Sequence, residues 1–261
     1  TRTKSSAASD VYKRQEGDRK GRLDCIWDTF CEKKNAITDA TNGDIACNHI
    51  DLWKQDVELI DSLGVDAYRL SISWPRVMKQ DGSVNEVGMR FYINLVNEVI
   101  KRGMKVFVTL YHWDLPQHLE DNGGWLNRNT AYAFEKYAEA VANALGEKVH
   151  SYATLNEPFC SAYLGYEAGT HAPGKTGMAN GRKAAHHLLL AHGLALKVLN
   201  RVCPKSQNGI VLNFSNCHTK SDSPEDIHAA KLADDYQNQW YLKPIIEGKY
   251  PDIIDKLAPD V

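Results

Sequence analysis

A β-prone run at residues 149–153 ends in Thr154-Leu155-Asn156-Glu157-Pro158. A carboxyl group can move a proton, and the amide beside it can donate to a hydroxyl. Proline disfavours helical geometry in the residue before it and cannot continue a ladder. Glu157 is therefore expected extended, at the carboxyl end of a strand. In parallel α/β proteins that is where chemistry is done. Taken alone, Asn156-Glu157-Pro158 carries little weight. Ordinary residue usage produces such a tripeptide in roughly a few per cent of chains this long, as a charge at a solvated loop start.

The weight comes from other strand ends. Residues 65–73 read as a strand ending in Arg69, Ser71, Ser73 and Trp74. Residues 105–112 end in Tyr111-His112-Trp113-Asp114, and residues 209–214 carry Asn213. If these strands are neighbours, a carboxyl group, an imidazole, two amides, a guanidinium and indoles share one rim. That mixture suits a polyhydroxylated substrate, whose hydroxyls need donors and acceptors and whose C–H faces stack on aromatic rings. Each residue also has a plainer reading. Arg69 could be an ion-pair member inside a barrel, His112 a structural histidine, and Trp74 and Trp113 core. His186, His187 and His192 sit in an Ala/Leu-rich helix start at residues 184–196. Packing outweighs a metal site there, since no glutamate stands at zincin spacing.

The elements that must position these groups alternate. Trp53, Val57, Ile60 and Leu63 recur at helical spacing, with Gly64 as the stop. Phe91 to Ile100 repeats the pattern before Gly103, and Phe134 to Leu145 before Gly146. Leu188 to Val202 follows, and a last helix runs from Pro224 to about Ile246. Strands alternating with such helices predict βαβ units, a parallel sheet and one domain. Ser71-Ile72-Ser73-Trp74-Pro75 offers no glycine-rich turn, which argues against a dinucleotide fold. Four strands remain, giving an open sheet or part of a barrel with long loops.

The 261 residues carry 31 Lys+Arg against 33 Asp+Glu, a formal net charge of −2. No basic stripe points to nucleic acid, and no apolar run approaches the ~18 residues of a membrane span. Six cysteines lack any Cys-x-x-Cys pair, which predicts free, partly buried thiols in a reducing compartment; without a visible signal peptide the cytoplasm is favoured, with the compartment itself left open. The Asn-Phe-Ser sequon at Asn213 falls in an expected strand and reads as fortuitous. Residues 1–15 are polar, lack the apolar region of a signal peptide, and read as a non-native or disordered leader. Residues 16–261 read as the domain.

The motifs together resemble glycoside hydrolase family 1, the β-glucosidase family, over about residues 20 to 261. They run in the family's order: Ile26-Trp27-Asp28-Thr29-Phe30, Thr41-Asn42-Gly43-Asp44-Ile45-Ala46, Tyr68-Arg69-Leu70-Ser71-Ile72-Ser73-Trp74-Pro75-Arg76. Then come Thr109-Leu110-Tyr111-His112-Trp113-Asp114-Leu115-Pro116-Gln117, Gly123-Gly124-Trp125-Leu126, Thr154 to Pro158, and Ala172-Pro173-Gly174. The resemblance implies a (β/α)8 TIM barrel, here cut to about strands two to five with their helices. It implies a retaining β-glycosidase without cofactor or metal, acting on a β-glucoside or related small glycoside. By the family's pattern Glu157 is the acid/base and Asn156 holds the sugar 2-hydroxyl. His112 and Trp113 bind the sugar, Arg69 orients the nucleophilic carboxylate, and Asn213 is a pocket-floor residue. The family's nucleophile segment, Ile/Val-Thr-Glu-Asn-Gly, is absent from this chain. Gln15-Glu16-Gly17 only faintly echoes the family's first strand. The fragment is therefore expected to be inactive alone. The competing expectation is a non-catalytic glycan-binding or interaction relative of the same fold.

Overall fold

The computed structural model describes residues 21–253. The expected leader and the Gln15-Glu16-Gly17 echo lie outside the described residues. Four parallel strands form one sheet in chain order: β1 Ala67–Ser71, β2 Lys105–Tyr111, β3 Ser151–Asn156 and β4 Gln207–Val211. Long helices precede or link them: α2 His49–Ser62 before β1, α4 Glu86–Lys101, α6 Asn129–Leu145 and α7 Met178–Val202. Short helices α1 Ile26–Cys31, α3 Trp74–Val77 and α5 Gln117–Asp121 lie in the long connections. After β4 come α8 Pro224–Asp234, a π-helical turn Asp235–Gln239, and α9 Trp240–Ile246.

The helices begin earlier than apolar periodicity suggests. Their first turns carry too few large apolar residues to show the period, although His49, Met89 and Ala131 there are already buried. Residue 184 is thus mid-helix in α7, not a helix start. The expected stops hold: Gly64 and Gly103 adopt φ 67° and 82°, open to glycine at no steric cost.

The core lies between sheet and helices. Trp74 stacks on Tyr137 of α6 with centroids 5.1 Å apart and planes 8° apart, and it touches Phe134 edge-on. Trp74 therefore packs in the core under α6. The Tyr137 hydroxyl lies 3.0 Å from the Ile72 carbonyl and 2.7 Å from the Leu110 carbonyl, pinning two strand ends to one helix. The opposite face of the sheet is open at β1, where Arg69 is exposed although Leu70 beside it is buried.

Two departures affect the site. The fourth strand was expected at residues 209–214 but runs two residues earlier and stops at Val211. Beyond it the β3 edge is used up, because Val211 O already accepts the Glu157 N–H at 2.8 Å. Asn213 therefore sits in the following loop, and the strand argument for dismissing its sequon does not hold. Second, the β3–β4 register slips. Ala153 pairs with Gly209, but Asn156 pairs with Val211, which leaves one extra residue in β3. Such a bulge re-aims the side chains beyond it.

Candidate active site

The bulge decides where Asn156 points. Ala153 shares a register row with Thr109 and Ser71 on the open face. Thr154 faces the other way, its hydroxyl 2.8 Å from Nδ1 of His192 in α7. Strict alternation would send Asn156 outward with Thr154. The extra residue returns it to the open face. There Arg69 Nη2 donates to Asn156 Oδ1 at 2.7 Å, and Arg69 Nε and Nη2 donate to Thr109 Oγ1 at 3.1 and 3.0 Å. Arg69 is partly open to solvent, yet packing still lowers its pKa from the ordinary arginine value. The nearby Glu157 charge opposes that shift. Arg69 thus ties three strands together and places its charge beside Glu157.

With its oxygen held by Arg69, Asn156 turns its amide nitrogen to a position where that buried donor has no partner among the described residues. An unpaired buried N–H is costly. A ligand hydroxyl is the kind of group that would satisfy it.

Glu157 follows β3 as expected, but not in extended geometry. Its φ is 46°, in the left-handed region that few non-glycine residues occupy. Its backbone explains why. The N–H is held by Val211 O, while the carbonyl accepts from Cys160 N at 2.9 Å and Ser161 N at 3.4 Å. With only Glu157 between, the chain must leave the ladder at Asn156 and enter the helical turn at Pro158 that leads into the π-helix Cys160–Glu167. Pro158 excludes the right-handed helical region at Glu157, and these bonds select the left-handed one over the extended one. Strain of this kind clusters at functional sites.

Trp113 shows the same feature at the next strand end, with φ 80°. Its ring is buried, and its indole N–H donates to the Asn156 carbonyl at 2.7 Å. It acts on the site by fixing the Asn156 backbone. His112 is also buried, with Nδ1 3.1 Å from Ser71 Oγ and its ring 5.4 Å from that of Trp113. Asn213 reaches the site only indirectly, donating to Cys160 Sγ at 3.6 Å. Cys160 in turn donates to Glu157 Oε2 at 3.4 Å. Sequence reasoning overlooked Thr109, Ser71 as the partner of His112, and Cys160. Only the spacing Glu157–Cys160, one helical turn, hinted at the last.

The three histidines of α7 each have their own partner. His187 Nδ1 lies 2.8 Å from Trp125 O and His186 Nδ1 lies 2.9 Å from the Tyr250 hydroxyl, beside the His192–Thr154 pair. Burial lowers the pKa of all three. They are packing and strand-anchoring groups. Cys203 and Cys217 are free thiols.

The family model of glycosyl hydrolase family 1 matches residues 4–260. The chain belongs to that family. It is 42% identical to a β-glucosidase of Agrobacterium sp. over 239 residues, 90% of this chain and 52% of that protein. It is 39% identical to β-glucosidase A of Thermotoga maritima over 89% of this chain and 53% of the relative. Among solved structures, the β-glucosidase of Exiguobacterium antarcticum superposes with TM-score 0.89 at 40% identity, covering 94% of this chain and 56% of that one. The family chain spans about half the length of the curated relatives it matches. The four-stranded parallel sheet is therefore part of a (β/α)8 barrel, and its open face is the barrel's inner side.

Proposed function

We propose that this chain is the amino-terminal part of a retaining β-glycosidase that hydrolyses small β-glucosides by double displacement. The observation that carries the reading is the buried Asn156 amide beside Glu157, without a partner among the described residues and held from behind by Arg69. In this reading the amide takes the sugar 2-hydroxyl, a contact that strengthens as the ring gains oxocarbenium character. Glu157 gives its proton to the departing glycosidic oxygen and later takes one from water. A second carboxylate about 5 to 5.5 Å away attacks the anomeric carbon. His112 sits where it can bind a ring hydroxyl. Arg69 holds the Asn156 side chain from behind, and in the intact barrel it would orient the nucleophile. The related virulence factor SghA of Agrobacterium tumefaciens has been solved with its substrate analog salicin, at 40% identity to this chain. An aryl glucoside is accordingly a suitable probe.

The chain has no Thr-Glu-Asn-Gly segment, so the covalent step has no nucleophile within it. The 261-residue chain should show no turnover of an aryl β-glucoside. The intact enzyme should turn it over, and Glu157→Gln should remove that activity. Turnover by the isolated chain that vanishes in Glu157→Gln would refute the need for the missing carboxylate. Turnover by the intact enzyme that survives Glu157→Gln would refute the acid/base assignment.

A further inference from the structure

The proposed reaction leaves one group at the site without a role. Cys160 begins the π-helix that follows Glu157, and its position is fixed from two sides. Its backbone N–H is bound to the Glu157 carbonyl at 2.9 Å, and its sulfur accepts from Asn213 Nδ2 at 3.6 Å. With the sulfur lone pair engaged by the amide, the thiol proton is directed at Glu157 Oε2, 3.4 Å away. The series Asn213–Cys160–Glu157 spans the ends of two neighbouring strands, β4 and β3.

We infer that Cys160 is a positioning residue for general-acid catalysis, deciding which oxygen of Glu157 carries the proton. The inference rests on the glycosidase reading above. An oxygen that accepts a hydrogen bond from the thiol is disfavoured as the site of the carboxyl's own proton, because the carbonyl oxygen of a carboxylic acid is a better acceptor than its hydroxyl oxygen. The acid proton is thereby placed on Oε1. When the glycosidic C–O bond breaks, its electron pair stays with the leaving oxygen, which takes the proton from Oε1. The O–H bonding pair remains on Glu157 as carboxylate. Cys160 stays a thiol throughout, and its hydrogen bond strengthens as Oε2 gains charge. Asn213, on the loop past β4, orients the thiol rather than the sugar.

The test is a leaving-group series on the intact enzyme, comparing phenyl β-glucoside with 2,4-dinitrophenyl β-glucoside. The dinitrophenolate departs without protonation, whereas phenolate depends on it. Losing one directed hydrogen bond to a charged group should lower kcat/KM for the phenyl glucoside in Cys160→Val by about 5- to 10-fold. The dinitrophenyl substrate should stay within about twofold. Cys160→Ser, which keeps a donor, should recover most of the phenyl activity. Packing alone makes a different forecast: a larger valine or a smaller serine that merely disturbed the fit would lower both substrates alike. An equal loss on both substrates, no loss on either, or a serine variant no better than valine would overturn the inference. Wild-type enzyme inactive on both glucosides, or indifferent to Glu157→Gln, would instead overturn the glycosidase reading and the inference with it.

Discussion

His192 offers a quantitative test of how the sheet is anchored behind the site. Its ring is 5% exposed, and Nδ1 lies 2.8 Å from Thr154 Oγ1, next to the bulge that turns Asn156 inward. Burial pushes its pKa down to about 4 from an ordinary 6.5. The folded pKa is depressed, so the native state prefers the neutral ring. Above 6.5 neither state binds the proton and the full stability is present. As pH falls from 6.5 towards 4, the unfolded chain protonates first. Stability then drops by about 1.4 kcal/mol per pH unit and levels off below the folded pKa. Integrated to about pH 5, the loss is about 2 kcal/mol from this one ring. Burial also lowers the pKa of His118, His186 and His187. The informative quantity is therefore the difference between wild type and His192→Gln. Urea unfolding followed by tryptophan fluorescence, from about pH 7.5 to 5, should show the variant losing about 2 kcal/mol less than wild type. Parallel stability–pH curves would refute the reasoning, because a ring that titrates alike folded and unfolded contributes no pH dependence.

Two further substitutions test the supports of the site. Gly181→Ala in α7 would ordinarily stabilise a helix by about 1 kcal/mol. Here a Cβ would stand 2.3 Å from Glu167 Oε2, where that carboxylate binds Arg182 at 3.0 Å and the Tyr236 hydroxyl. The expected result is a loss of about 1–3 kcal/mol, read as a lower melting temperature. Trp113→Phe removes the indole donor from the Asn156 carbonyl and leaves that oxygen unsatisfied. It should lower kcat/KM of the intact enzyme by about tenfold, and wild-type kinetics in this variant would show that the indole bond does not position Asn156.

Much of the architecture was legible in residue order. Helix-period runs closed by Gly64, Gly103 and Gly146, alternating with short β-prone runs, could only pack as a parallel sheet under helices. The candidates Asn156-Glu157 and His112 stand at or just past strand ends, and Arg69 lies within β1, so their placement on the sheet followed from the strand pattern. Reading failed where one residue of register mattered. The fourth strand was placed too late, because the bonding capacity that ends it belongs to Glu157 on another strand. Trp74 and Trp113 looked alike in sequence, yet Trp74 packs under α6 and Trp113 braces the Asn156 backbone.

The sequence by itself determined the family and the parallel alternation of strands and helices, since these depend on local pattern and residue type. The tertiary structure alone decided the direction of Asn156, the left-handed backbone of Glu157 and the thiol beside its carboxylate. Each arises from a hydrogen bond between residues distant in the chain: Val211 to Glu157, Arg69 to Asn156, Asn213 to Cys160. Such bonds leave no periodic trace, because they are chosen by how the strands come to lie side by side.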